Sequence, residues 1–491
     1  MNVLPPELFD AVVEACDHAS LKTFRLVNHQ GKSAADPLVF SHFWMGLYDC
    51  GLQKLMHLAK SPLSKYVTKF TMFTDRLPHW ERAQWESEIS IPLLFDVWCK
   101  AEAGRRHQDC VECSQSPGSS CCGDKRQLQC DLGREFEQFS RDWVRTTDLD
   151  AAWTYYHDLA EQQGQWLSGV QGLALKEHFA MLPNVDEVEL TFDEPPSRYR
   201  NDRSVWEART KRTLLSIDGR NLRSQNGSGS LAASARAAVL QAIGFRAQFA
   251  GTKHVTILRI DAKHNSSMPS IMGQGFGRRY DAHILRYQGR VQNSEEAFRH
   301  LKTLRLCLHD FQHTTRGGSD PSTIDLARLA AQAKQLEHLE VTFFDSSTKS
   351  SENVPPAESF FAMISPHIED ALSQDDFPWT QLRTLEFTNA TVYAEHLLDL
   401  LRRCANTLRS LRLRNMTVVD APKFLAHVPH TAKLDLVYFE NIWCYDVDSP
   451  GGSELRAYFS KGTNQVDDYH RAIKAYLLGH KTDLPTLVFG D

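Results

Sequence analysis

Residues 382–387 read Leu-Arg-Thr-Leu-Glu-Phe, and residues 408–413 read Leu-Arg-Ser-Leu-Arg-Leu. The shared pattern is apolar-x-x-apolar-x-apolar. Its second half has the period of two expected of a short strand with one buried face. The same unit occurs at Val185–Leu190, Val255–Ile260, Leu301–Leu306 and Leu336–Val341. A weaker copy ends in Leu434-Asp-Leu436, and Val67-Thr-Lys-Phe70-Thr-Met72 is a possible early one. Central anchors fall at 188, 258, 304, 339, 385, 411 and 434. Between several copies lie helical patterns, at 322–334, 357–373 and 392–404, the last with Leu397, Leu398 and Leu401 on one face.

One such strand cannot bury its own apolar side. Copies stacked in parallel bury it jointly, and the helices return the chain along the other face. The closest spacings match the period of roughly 20–29 residues of leucine-rich repeats, and the longer ones fit that period plus insertions. The expectation is an α/β chain whose residues 46–491 form an irregular leucine-rich-repeat-like solenoid of parallel strands and helices. The residue between the last two anchors is Glu189, Arg259, Arg305, Glu340, Glu386, Arg412 or Asp435, charged in every copy. The pleat turns it away from the core. A mixed-sign ladder follows, either a solvated sheet face or a protein-binding surface. Arg259, Arg305, Glu340, Glu386, Arg412 and Arg414 are its candidate substrate-binding residues.

The first 45 residues differ in kind. Leu8, Val12 and Ala15 make one helical stripe, Leu21, Phe24 and Val27 a second, and Asp17 to Ser20 break the run. So short a segment cannot bury its apolar faces unaided. Leu4-Pro5-x-Glu7-Leu8, Val12-Val13, Leu21, Leu26-Val27 and Asp36-Pro-Leu-Val-Phe40 together resemble an F-box, the three-helix module that docks onto the Skp-family adaptor of cullin-based SCF ubiquitin ligases. Residues 52–73 are similar to the segment that follows the F-box in filamentous-fungal F-box proteins. One departure is Gly31, where the family usually has Trp.

The resemblance implies a substrate-recognition subunit of an SCF-type ligase. Leu4, Pro5, Leu8, Val12, Val13, Leu21, Leu26 and Val27 would contact the adaptor, and through it a cullin. The repeat arc would hold an unknown protein substrate. The chain itself would be a non-catalytic receptor. The alternative is a repeat scaffold that engages no ligase, which Gly31 keeps open.

Composition limits the other classes. The chain has 491 residues, 42% hydrophobic, enough for a large core. Its net charge of −6 argues against a general nucleic-acid binder. No apolar run approaches a membrane span, and the first residues lack the features of a signal peptide, so a cytoplasmic or nuclear location is expected. No nucleophile elbow, P-loop or His-Glu-x-x-His motif occurs. Gly273-Gln-Gly275-Phe-Gly277 reads as a loop. Cys110, Cys113, Cys121, Cys122 and Cys130, with His107 upstream, lie in a polar insertion at 104–133. A C-x2-C pair supplies two ligands of a tetrahedral zinc site. Cys121 or Cys122, the latter taken as the candidate, together with Cys130 would complete a structural site, His107 being able to replace one thiolate, and otherwise the segment is a loop with free or redox-labile thiols. The other cysteines read as small buried hydrophobes.

Overall fold

The computed structural model describes residues 6–47, 49–73, 81–85, 149–166, 170–191, 229–260, 295–309, 329–344, 377–445, 455–457 and 464–481. The chain is of mixed α/β class. It divides into one unit of residues 1–75, 165–194 and 225–491, and a second of 76–164 and 195–224. The second unit is broader than the insertion expected at 104–133, and its cysteines lie outside the described residues. Two of its helices are described, α5 (Arg82–Trp85) and α6 (Leu149–Gly164).

The first unit is built on an 11-stranded sheet. Its strands are β1 (His42–Gly46), β2 (Lys69–Phe73), β3 (Glu187–Thr191), β4 (Ile257–Ile260), β5 (Thr303–His309), β6 (His338–Phe344), β7 (Thr384–Thr388), β8 (Thr391–Tyr393), β9 (Ser410–Val419), β10 (Leu436–Tyr445) and β11 (Leu455–Ala457). Strands β1 to β10 pair in parallel and in chain order, with β8 alongside the far half of β9, and β11 joins antiparallel to β10. Among the described residues the longer helices of this unit are α1 (Pro6–Ala15), α2 (His18–Phe24), α3 (His29–Val39), α4 (Asp49–Ala59), α7 (Val170–Ala180), α8 (Gly229–Arg246), α9 (Ala394–Arg403), α10 (Ala421–Thr431) and α11 (Asn464–Leu477).

Register explains the sequence pattern. Phe43, Phe70, Val188, Leu258, Leu304, Leu339, Leu385, Leu411 and Val437 stand in one row across the sheet. Met45, Met72, Leu190, Ile260, Leu306, Val341, Phe387, Leu413 and Phe439 stand in the next. Almost all are buried, in one core cluster that also takes up Leu397, Leu398 and Leu401 of α9 and Phe179 of α7. With one face covered and the other open, apolar and outward residues alternate along each strand.

The turn leading into each strand repeats one device. A single carbonyl accepts the amides of two successive residues of the next copy. Ser41 O takes Thr68 and Lys69, Thr68 O takes Asp186 and Glu187, and Asp186 O takes Thr256 and Ile257. Thr256, Lys302, Glu337, Arg383 and Arg409 continue the chain of acceptors as far as Asp435 and Leu436. Each copy is thereby locked onto its predecessor in a fixed phase, before any side chain is considered.

That phase corrects three expectations. The possible early copy at 67–72 is strand β2, but an earlier strand, β1, precedes it and crosses the expected boundary at residue 45. The last copy is centred on Val437, not Leu434, because Val437 is the residue opposite Leu411. Its outward residue is accordingly Tyr438, and Asp435 belongs to the lead-in turn, so the ladder is not charged at every rung. Anchors 385, 411 and 437 then lie a constant 26 residues apart.

The same 26-residue step relates Asn389 and Asn415, both in the left-handed region at φ 58° and 48°. Asparagine tolerates that region better than most side chains. Asn415 Nδ2 donates to Asn389 Oδ1 at 3.0 Å. The extra residue resets the alternation, so that Ala390 and Val392, and likewise Met416 and Val418, point inward after Phe387 and Leu413. At the far end α11 packs on α10 and β10, with Tyr476 Oη donating to Ala426 O at 3.2 Å. Cys404 is buried, and desolvation pushes its thiol up to about 12, as expected of a cysteine used as a small hydrophobe.

Candidate functional site

Two surfaces carry the residues singled out by the sequence. The first is the three-helix segment. Asp17 caps α2 by accepting from Ser20 N at 2.7 Å, a bond that holds its carboxyl below the ordinary aspartate range. Asn28 caps α3 by accepting from Gly31 N at 2.7 Å. Val13, Leu21, Ala35 and Val39 form a small core of their own, flanked by Phe9, Cys16, Phe24, Ala34 and Phe40. Arg25 Nε donates to Asp36 Oδ1 at 2.8 Å, and its guanidinium lies over Phe40.

The inward stripe of α1 is therefore Phe9, Val13 and Cys16, and Val12 and Ala15 of the expected stripe are exposed. Val13 and Leu21 are interior packing residues here, which leaves them no open surface to offer a partner. Val12 (49% exposed), Leu26 (81%), Val27 (59%) and Leu38 (40%) stay open to solvent. Leu4 and Pro5 lie outside the described residues, as does the side chain of Leu8. Leu38, inside the quoted Asp36–Phe40 stretch, was not among the candidate adaptor residues; its exposure is set by which side of α3 Ala35 and Val39 bury.

Gly31 has a local reason. A Cβ built there would stand 2.7 Å from the carbonyl oxygen of Phe24 and 3.4 Å from Asn28 Oδ1. Replacement of Gly31 by alanine is expected to lower the stability of the segment by about 1–3 kcal/mol, as overpacked sites do. Hydrogen exchange of the amides in 18–39 measures it. Unchanged protection would show that the turn yields without cost.

The second surface is the outward face of the sheet. One row runs Trp44, Thr71, Glu189, Arg259, Arg305, Glu340, Glu386, Arg412, Tyr438. Five of the six candidate substrate-binding residues share this row. Arg414 stands beside it, opposite Thr388 and Glu440. The charges answer one another. Arg305 Nε meets Glu340 at 3.0 Å. Glu386, 9% exposed, lies between Arg412 at 3.6 Å and Arg414 at 3.5 Å. Lys69 Nζ reaches Glu189 at 2.6 Å and Glu187 at 3.0 Å, and Arg259 Nε meets Glu187 at 3.2 Å.

Burial works to raise the Glu189 carboxyl, but Lys69, Arg259 and the Thr71 hydroxyl together outweigh it and hold the group below its ordinary range. Lys69 and Glu187 were missed by the sequence reading, because their partners come from strands about seventy or more residues away in the chain. The Arg414 guanidinium also lies 5.2 Å from the centre of the Tyr438 ring, whose hydroxyl donates to Glu440 at 2.8 Å. This face has pairs of the kind that give little net stability when exposed. Their number and alignment define a mixed-charge surface with an aromatic residue at either end of the row.

Among the described residues no group of three or more His, Cys, Asp or Glu side chains has the arrangement of a metal site. The cysteines considered for zinc, Cys110, Cys113, Cys122 and Cys130, lie outside those residues. No described helix is long and apolar enough to cross a membrane. No protein-family model matches this chain, and no curated protein matches it.

Proposed function

We propose that the chain is a substrate-recognition subunit of an SCF-type cullin ubiquitin ligase, with an F-box at its start and a leucine-rich-repeat-like body. One observation carries the reading. The three-helix segment has a core of its own, yet leaves Val12, Leu26, Val27 and Leu38 exposed. An apolar set of this kind on a small helical module calls for a partner surface, and the resemblance names the Skp-family adaptor. In this reading the chain does no bond chemistry. The segment fixes it to the adaptor and cullin, and the outward sheet face presents a target protein to the ubiquitin-charged enzyme, raising its local concentration.

Co-expression with a Skp-type adaptor tests the reading. Wild type is expected to co-purify with it. Leu26→Asp, at a position too exposed to disturb the fold, is expected to weaken binding by ~30-fold or more, the effect of losing an interface anchor. Absence of complex at micromolar concentrations would favour the alternative, a repeat scaffold independent of a ligase. The observation on that side is Gly31, which has no room for the Trp usual in the family.

A further inference from the structure

The outward face of the sheet cancels its own charge. The edge formed by the lead-in turns does not. Every such turn from β4 to β10 carries an exposed cation: Lys253, Lys302, Lys334, Arg383, Arg409 and Lys433 in order. Two of them face a carboxylate, Lys302 with Glu337 at 3.2 Å and Arg409 with Asp435 at 4.0 Å. Lys253, Lys334, Arg383 and Lys433 form no ion pair among the described residues. Arg299 beside the row is neutralised by Glu296 at 2.6 Å. The edge is thus positive along its length in a chain whose net charge is −6.

We propose that this edge binds an acidic polypeptide segment in extended form. Six successive strands at a pitch of about 4.8 Å place the cations along roughly 24 Å, which about seven extended residues span. The cations sit on long flexible stems, so carboxylates need not match the pitch residue by residue. Two features favour a peptide over a nucleic acid. Glu337 and Asp435 interrupt the row, and would oppose a continuous phosphate backbone. The rings at the edge, His254 and His300, stack on each other with centroids 3.7 Å apart, so they are not a ready platform for bases. The proposal does not depend on the adaptor reading, because it concerns a different part of the molecule.

The test uses the full chain and a fluorescent peptide of about eight glutamates, read by anisotropy at low and at physiological salt. Wild type is expected to bind, less tightly as salt rises. The triple variant Lys253→Gln, Arg383→Gln, Lys433→Gln is expected to bind about tenfold more weakly, from three exposed charge contacts of modest strength each. Lys423→Gln, at the start of α10, is expected to leave binding within about twofold, the scale of one such exposed contact or less. The proposal is overturned if wild type does not bind the peptide, if the triple variant binds as wild type does, or if a thymidine oligonucleotide of about eight nucleotides binds more tightly than the peptide.

Discussion

Replacing Trp379 with alanine is expected to cost about 3–5 kcal/mol, the range for removing a fully buried aromatic side chain. Trp379 is 1% exposed. It precedes Leu382, the first anchor of the copy that contains β7, and its ring meets Phe377 edge-on at 5.9 Å. Its Nε1–H donates to the Ala330 carbonyl at 3.0 Å, in the helical turn that leads to β6. The side chain therefore spans two successive copies. It fills volume in its own copy and supplies a donor to the one before.

Alanine would remove both contributions and leave the Ala330 carbonyl with the Ala333 N–H alone, at 3.0 Å, so the loss should spread to both neighbours. Hydrogen exchange of the amides in 338–344 and 384–388 is the measurement. Both stretches are expected to lose protection, and β1 to β3 much less. Trp379→Phe keeps most of the ring volume but not the N–H, and is expected to lose about 1–2 kcal/mol. Equal protection in wild type and Trp379→Ala would mean that the copies are held together without this residue.

Arg246→Ala is expected to cost about 3–5 kcal/mol. Arg246 ends α8 and is 1% exposed. Its Nε donates to Leu182 O at 2.8 Å and its Nη2 to Pro183 O at 2.9 Å, in the turn leading into β3. The guanidinium lies 5.7 Å from the Phe179 ring centre. Burial pushes its pKa down to about 10, partly opposed by Asp186, so it stays charged at neutral pH. The charge is carried at a desolvation cost that the two carbonyls and the ring offset.

In the alanine variant Pro183 O still accepts Lys253 N–H at 2.8 Å, so the Leu182 carbonyl and the cavity bear the loss. Arg246→Met, which retains much of the volume, separates the two contributions. It is expected to show roughly half the destabilisation of alanine, about 2 kcal/mol. Exchange protection of 187–191 and 257–260 reports both variants. Wild-type protection in Arg246→Met would show that volume alone matters and that the hydrogen bonds contribute nothing net.

Much of the body was legible because its signal is local. In Leu382–Phe387 and Leu408–Leu413 the strand, its buried side and its outward residue follow from the period of the pleat alone. The helix at 392–404 likewise shows its inward leucines by their spacing. Strand β1 was not legible. Its residues fit the same unit, Phe40-Ser-His-Phe43-Trp-Met45, but Phe40 was assigned to the end of the three-helix segment, whose core it flanks, and that hid the copy. In the three-helix segment, cap positions were readable from Asp17 and the break around it. The rotation of α1 about its axis was not, since Leu8, Val12 and Ala15 are spaced as regularly as Phe9, Val13 and Cys16.

By itself the sequence determined the α/β class, the succession of strand units and the distinct helical character of the segment before β1, because each depends on contacts or periodicities within a few residues. Tertiary structure alone decided the phase between copies, where the shared carbonyl of each lead-in turn selects Val437 over Leu434. It also decided which charges are matched. Lys69 with Glu189, and Arg305 with Glu340, are brought within reach only when strands distant in the chain come to lie about 4.8 Å apart.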